Sequence, residues 1–180
     1  MSKIDINNHN LIKREVIGED IRLVELNWDT KDEDISPVDI LITYSDYNSI
    51  INLSLLNGFI NELNSSKFTG TIAVLKIPGG AFELPLLSEY AIKHYQPKIA
   101  SLIGCIIKGD TMHYEFLSSS VINATRNLSV SLKLPVINGV LTVEKDEHAL
   151  DRAGLKLNKG REFAQTSLDI LSFIKKYSNE

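Results

Sequence analysis

After Pro37 the sequence alternates short apolar segments with segments of helical periodicity, and this alternation limits the possible folds most. Four apolar segments are predicted to be strands, at residues 38–44, 71–77, 99–107 and 135–141. Their nearly continuous apolar character is typical of strands buried on both faces of a sheet. Elsewhere apolar residues recur at helical spacing, and helices are predicted at residues 50–63, 82–95, 113–134, 144–153 and 160–177. Strands that alternate with helices predict an α/β fold with a four-stranded parallel sheet and helices on both faces.

The first 36 residues are predicted to be an N-terminal arm, followed by one domain over residues 37–180. Residues 21–26 alternate between polar and apolar side chains, as one strand would. A charged segment at residues 29–34, closed by Pro37, separates them from the domain. Two interpretations of the arm stay open: a partly disordered tail, or a strand that adds to the sheet edge of another subunit.

Charge and apolar content disfavour several classes of protein. The net charge is −4 and no basic stripe is present, which argues against a nucleic-acid partner. No apolar stretch reaches the length that spans a bilayer, and the first residues contain no apolar signal segment, so a cytoplasmic location is predicted. The single cysteine, Cys105, allows no disulfide within one chain.

The carboxyl edge of the predicted sheet is where a ligand is expected, because parallel sheets of this type bind ligands there. The third predicted strand ends at a short polar turn, residues 108–111, and a helical pattern begins near His113. Strand, turn and helix together present backbone N–H groups and a positive dipole end to a small anion. Beside that turn, His113 is placed to transfer protons near neutral pH. The sequence therefore predicts an enzyme.

Four motifs, in order and spacing, resemble those of the 6,7-dimethyl-8-ribityllumazine synthase family from about residue 38 to the carboxyl terminus. They are the segments at residues 78–85, 109–114, 135–142 and 151–154. The resemblance implies a flavodoxin-like three-layer sandwich in a ring of five subunits, sometimes built into larger shells, with active sites between neighbouring subunits. It also implies a transferase in the penultimate step of riboflavin biosynthesis, with riboflavin synthase as a candidate partner. The reaction joins 5-amino-6-(D-ribitylamino)uracil to 3,4-dihydroxy-2-butanone 4-phosphate and releases phosphate and water, without metal or organic cofactor.

The resemblance also implies roles for individual residues. It assigns proton transfer to His113. Eight residues would contact the ribitylaminouracil: Tyr47, Ala81, Phe82, Glu83, Cys105, Ile106, Ile107 and Asn138. Four residues would contact the phosphate: Asp110, Thr111, Arg152 and Lys159. Asn138 and Arg152 would reach the pocket from the neighbouring subunit.

Each of these residues also has a structural interpretation. His113 resembles the many histidines that lie on a helix surface, Glu83 suits a first helical turn, and Arg152 suits an exposed helix end. Cys105 is otherwise a small buried residue, and the turn at 108–111 has ordinary turn chemistry.

The reversed charge at Asp46, the doubled glycine and the long N-terminal arm keep a second interpretation open. The usual Arg-Phe-Asn is replaced by residues 46–48, Asp-Tyr-Asn, so one local charge is reversed. Two glycines, Gly79 and Gly80, stand where the family usually has one, and the loop at residues 154–159 is one residue shorter. The alternative is a non-catalytic shell protein of the same fold that binds flavin or lumazine. A general flavodoxin-like binding module is disfavoured, because the turn after the first domain strand has no run of small residues.

Overall fold

The computed structural model describes residues 20–26, 35, 37–154 and 156–177. Strands and helices alternate along most of this length. The strands are β1 (Ile21–Leu26), β2 (Ile40–Ser45), β3 (Gly70–Ile77), β4 (Ile99–Ile107) and β5 (Val136–Val143). The helices are α1 (Ser49–Ser65), α2 (Leu84–Tyr95), α3 (His113–Leu132), α4 (Asp146–Arg152) and α5 (Lys159–Tyr177). The predicted α/β fold is confirmed, and each predicted helix overlaps an observed one.

The described strands form one parallel sheet with the order β1-β3-β2-β4-β5. The prediction of four strands was wrong by one, because β1 from the arm joins the sheet. It pairs with β3 of the same chain, from Ile21 opposite Gly70 to Leu26 opposite Leu75. The alternating pattern of β1 indicates a strand, but a pattern of this kind carries no information about which edge accepts it. The other residues of the predicted arm, apart from Asp20 and Ile35, lie outside the described part of the chain.

The core consists of two buried clusters, one on each face of the sheet. Neighbouring residues on a strand point to opposite faces, so Ile42 and Ile103 pack with α1 and α5, whereas Leu41 and Leu102 pack with α2 and α3. This explains the nearly continuous apolar pattern of β2 and β4, which have helices on both sides. Within the described ranges, no helix is both long and apolar enough to cross a membrane.

Candidate active site

An open cleft of about 960 Å³ lies at the carboxyl ends of β2, β3 and β4. Its walls come from the turns that follow these strands and from the first turns of α3 and α4. The lining residues are Asp46, Tyr47, Asn48, Gly79, Gly80, Ala81, Phe82, Glu83, Cys105, Ile106, Ile107, Gly109, Thr111, His113, Tyr114, Leu117 and Asp146. The position agrees with the general location of ligand sites in parallel α/β sheets.

Nine of the residues singled out from the sequence line this cleft. They are Tyr47, Ala81, Phe82, Glu83, Cys105, Ile106, Ile107, Thr111 and His113. Asp110 belongs to the same turn as Thr111 but is not part of the lining. Asn138, Arg152 and Lys159 lie elsewhere, on β5, at the end of α4 and at the start of α5.

Tyr47 forms one wall of the cleft, with 71% of its surface exposed. The turn that carries it is tied to both neighbouring strands. The backbone N–H of Tyr47 donates to the Gly79 carbonyl at 3.0 Å, and the side-chain amide of Asn48 donates to the Cys105 carbonyl at 2.9 Å. An exposed ring on a fixed backbone suits a stacking surface for a planar heterocycle.

The reversed charge at Asp46 has a partner that the sequence did not indicate. Lys76 Nζ lies 3.3 Å from Asp46 Oδ1, and both side chains are about half exposed. Lys76 is opposite Tyr44 in the pairing of β2 with β3. Burial, then the carboxylates of Glu25 and Asp46, raise the pKa of Tyr44 to about 12. Because it pairs with Asp46, Lys76 supplies a cation at the rim of the cleft, beside the position where the family usually has arginine.

The double glycine forms the turn that leads from β3 to α2. Gly79 has φ 92°, and a Cβ there would lie 2.8 Å from Glu83 Oε2. Gly80 has no positive φ, and a Cβ there would meet nothing closer than 3.8 Å. Its N–H donates to Glu83 Oε2 at 2.8 Å. The turn thus requires glycine at position 79 only, and Ala81 after it is buried against the cleft.

This geometry predicts unequal effects of alanine at the two glycines. Gly79→Ala should lower the free energy of unfolding by about 1–3 kcal/mol, because alanine strains at positive φ and its Cβ displaces the Glu83 carboxylate. Gly80→Ala, the matched control, should change it by no more than about 0.5 kcal/mol. Urea denaturation of both variants measures the difference. Equal losses would contradict the assignment of the strained position to Gly79.

The polar turn after β4 and the start of α3 form the opposite wall. The Thr111 hydroxyl oxygen accepts the His113 N–H at 3.4 Å, and His113 is exposed to the cleft as the first residue of α3. Lys108 does not line the cleft; its Nζ lies 3.3 Å from Glu115 Oε1. Helix N-terminal N–H groups favour an anion at this turn.

The charges around the cleft are mostly negative. Asp46, Glu83 and Asp146 each contribute a carboxylate, and no lysine or arginine is among the described lining residues. Asp146, which sequence reasoning missed, reaches the cleft from the first turn of α4. A phosphate group bound here would need a cation from outside this set of residues.

The floor of the cleft is formed by Cys105 and the two isoleucines that follow it. Burial, and secondarily the carboxylate of Asp146, raises the pKa of the Cys105 thiol to about 12. A thiol with so high a pKa stays protonated, so Cys105 acts as an apolar contact surface rather than as a nucleophile. Among the described residues, no group of three or more His, Cys, Asp or Glu side chains is placed to hold a metal ion.

The raised pKa of Cys105 predicts a pH-dependent stability. The unfolded thiol ionises near pH 9.0, whereas the folded one keeps its proton to about pH 12, so raising the pH above 9 favours unfolding. Relative to Cys105→Ala, the unmodified chain should lose about 1.4 kcal/mol of unfolding free energy between pH 8 and pH 10. Urea denaturation of both proteins at each pH measures this; parallel pH profiles would contradict it.

The two remaining candidate cations, Arg152 and Lys159, flank the loop between α4 and α5. An isolated bridge joins Ala153 to Asn158, and Ser54 Oγ of α1 donates to the Ala153 carbonyl at 2.6 Å. Arg152 precedes this bridge and Lys159 follows it. Arg152 donates to the His148 carbonyl at 3.3 Å, and Lys159 pairs with Glu162 at 2.6 Å. Both cations therefore flank a loop that is anchored on α1, and neither lines the cleft of its own chain.

A family model described as 6,7-dimethyl-8-ribityllumazine synthase matches residues 37–175. The chain belongs to this family. A 6,7-dimethyl-8-ribityllumazine synthase of Buchnera aphidicola subsp. Baizongia pistaciae (strain Bp) is 36% identical over 140 residues, which cover 75% of this chain and 86% of that protein. A protein of the same name from Protochlamydia amoebophila (strain UWE25) is 34% identical over 139 residues, covering 76% of this chain and 80% of the relative.

The family match begins at residue 37 and so leaves out β1, which the structure adds to the sheet. All the residues that line the cleft fall inside the matched range. The lumazine synthase relatives are named as enzymes, which favours the enzyme over the non-catalytic shell protein.

Proposed function

We propose that this chain is a lumazine synthase that condenses 5-amino-6-(D-ribitylamino)uracil with 3,4-dihydroxy-2-butanone 4-phosphate, as a transferase of riboflavin biosynthesis. The observation that carries the proposal is the cleft at the carboxyl edge, which brings together Tyr47, Glu83 and His113 from three separate turns. Membership of the family supports it independently. The family's flavodoxin-like three-layer architecture agrees with the observed arrangement of helices on both faces of the sheet.

Within the cleft, each wall has a distinct task. The exposed ring of Tyr47 stacks on the pyrimidine, and the Glu83 oxygen that Gly80 does not occupy accepts a hydrogen bond from the ribitylaminouracil. Ala81, Phe82 and the strand end from Cys105 to Ile107 complete the surface for this substrate. Holding both substrates in reactive geometry supplies much of the rate.

His113 moves protons while the phosphate is held at the adjacent turn. Imine formation needs a proton for the departing water, and phosphate elimination needs a proton removed from carbon. An imidazole can both donate and accept near neutral pH. Thr111 and the backbone at Asp110 contribute donors to the phosphate at the N-terminus of α3.

The phosphate needs more positive charge than one chain brings to its own cleft. Because the lining carries three carboxylates and no lysine or arginine among the described residues, we assign the missing cations to Arg152 and Lys159 of a neighbouring subunit. A guanidinium can grip phosphate through two N–H donors. Asn138 would reach the pyrimidine end of the pocket from the same neighbour.

An exposed apolar surface supports assembly of several copies. A groove of about 670 Å³ between α2 and α3 is lined by residues that include Leu86, Leu87, Val121, Ala124 and Leu128. Large apolar side chains remain exposed on the same two helices: Leu86, Tyr90, Phe116, Ile122 and Val130. Surfaces of this kind mark protein interfaces, and a ring of five copies would cover it. The cytoplasmic location, the larger shell and riboflavin synthase as a partner stay predictions.

The first test of the reaction is the formation of the fluorescent lumazine from the two substrates by purified protein. The slow reaction without protein, at the same concentrations, is the reference. We expect a rate that is proportional to the protein concentration. Binding of lumazine or riboflavin without any acceleration would overturn the proposal and favour the non-catalytic shell protein.

Co-expression of two variants tests whether the site is shared between subunits. His113→Ala chains keep Arg152, and Arg152→Ala chains keep His113, so only mixed rings contain complete sites. With random mixing, about a quarter of the sites are complete, and at a butanone phosphate concentration well below KM about a quarter of the wild-type activity should return. Separately purified variants that cannot exchange subunits are the control. Co-expressed activity no higher than theirs would contradict shared sites, and an unchanged KM for the phosphate substrate in Arg152→Ala would contradict the role of Arg152.

A further inference from the structure

Asn52 is fully buried in α1, directly beneath the turn that carries Tyr47. Its Nδ2 lies 2.8 Å from the Ser45 carbonyl and 2.8 Å from the Tyr47 carbonyl, and 2.9 Å from Ser45 Oγ. The Ser45 hydroxyl in turn donates to the same Tyr47 carbonyl at 3.4 Å. One side chain of a helix therefore fixes the end of β2 and the residue whose ring forms the cleft wall.

The peptide groups of Tyr47 are held from two sides. The Asn52 amide donates to the Tyr47 carbonyl. The Tyr47 N–H donates to the Gly79 carbonyl at 3.0 Å. Gly80, the next residue, donates to Glu83 at 2.8 Å. A continuous hydrogen-bonded path thus runs from Asn52 through the Tyr47 turn to the Glu83 carboxylate. The ring itself is left exposed, so its position depends on the backbone that these bonds hold.

The other end of the Asn52 amide argues against a role in packing alone. Its Oδ1 is buried and has no hydrogen-bond partner among the described residues. An unpaired buried acceptor lowers stability, and an apolar side chain at this position of α1 would avoid that cost. What the amide adds is its nitrogen, which donates hydrogen bonds to Ser45 and Tyr47.

We propose that Asn52 is a positioning residue for the pyrimidine substrate, which acts by fixing the Tyr47 turn. The inference rests on the proposed function for the identity of the substrate, whereas the mechanical link between Asn52 and Tyr47 does not depend on it. Asn52 has no surface in the cleft and does not touch the substrate. Removal of the Asn52 amide should therefore weaken the binding of the ribitylaminouracil. It should leave the turn at residues 108–111, on the opposite wall, unchanged.

Kinetics of Asn52→Leu test the substrate part of the proposal. Leucine keeps the branched shape and the number of heavy atoms of the side chain, although it is larger, and it cannot donate, so the KM for the ribitylaminouracil should rise about 5-fold or more. The KM for the butanone phosphate should change less than about 2-fold. Asn52→Ser, a smaller change that cannot reach the Tyr47 carbonyl, should act in the same direction if the leucine variant folds poorly. The control is Asn61→Ala at an exposed position of α1. Unchanged KM values, or equal rises for both substrates, would overturn the proposal.

A spectroscopic measurement tests the link without any activity. The sequence contains one tryptophan, Trp28, so Tyr47→Trp combined with Trp28→Phe places a single reporter in the cleft wall. Time-resolved fluorescence anisotropy then reports local motion of that ring. Adding Asn52→Leu or Asn52→Ser should about double the amplitude of the fast component, and Asn61→Ala should not. A fast component unchanged by either Asn52 variant would overturn the positioning role, whether or not the protein makes lumazine.

Discussion

Alanine at His113 is expected to lower kcat for lumazine formation about 10- to 100-fold and to leave both KM values nearly unchanged. Proton transfer by a positioned side chain typically contributes about 100-fold or more. The loss should lie at or below the lower limit of that range here, because two bound substrates also react through proximity alone. His113 is exposed at the start of α3, and the hydrogen bond to Thr111 uses its backbone N–H rather than its imidazole, so its replacement should not disturb the fold.

The matched control is His94→Ala, at an exposed position in the last turn of α2 and outside the cleft. Steady-state rates of both variants, with circular dichroism and sedimentation of the assembled protein, separate chemistry from folding. A His113→Ala enzyme with the wild-type kcat would remove His113 from the mechanism. Equal losses in both variants would point to a general effect on structure instead.

The strands of the sheet could be predicted where they are buried on both faces, because such burial requires a nearly continuous apolar sequence. The segments at residues 38–44 and 99–107 became β2 and β4, which have neighbours on both edges and helices on both faces. A strand with that environment must be apolar nearly throughout. β1 is an edge strand and is only partly buried, so its pattern is weaker, and its position beside β3 depends on pairing across about fifty residues of chain.

The walls of the cleft were predictable in part because turn residues after successive parallel strands meet at one edge. Contacts between residues distant in sequence could not be predicted. Lys76 meets Asp46 only because β2 and β3 are adjacent, and Asp146 reaches the cleft only because β5 lies beside β4. In the sequence, Asn52 is a polar residue that interrupts an apolar helix face. The sequence pattern does not indicate that its amide holds the turn of Tyr47.

The close contact between α1 and α5 leads to the second large prediction, at Gly160. This glycine is buried at the start of α5, where a Cβ would overlap the carbonyl oxygen of Leu55 and lie 2.8 Å from its carbonyl carbon. The obstacle is backbone of α1, which is in the middle of a helix and cannot rotate away. At Gly58, by contrast, the three atoms nearest to an added Cβ all belong to the side chain of Asn158, which can move.

Gly160→Ala should therefore lower the free energy of unfolding by about 3 kcal/mol or more, and the melting temperature by about 6–12 °C. Gly109→Ala is the control, because a Cβ there meets nothing within 4 Å, and its effect should stay within about 0.5 kcal/mol. Urea and thermal denaturation measure both. Lys159 directly precedes Gly160, so separation of the two helices would also move a cation assigned to the neighbour's phosphate. A Gly160→Ala protein as stable as the wild type would mean that α5 packs farther from α1 than the structure has it.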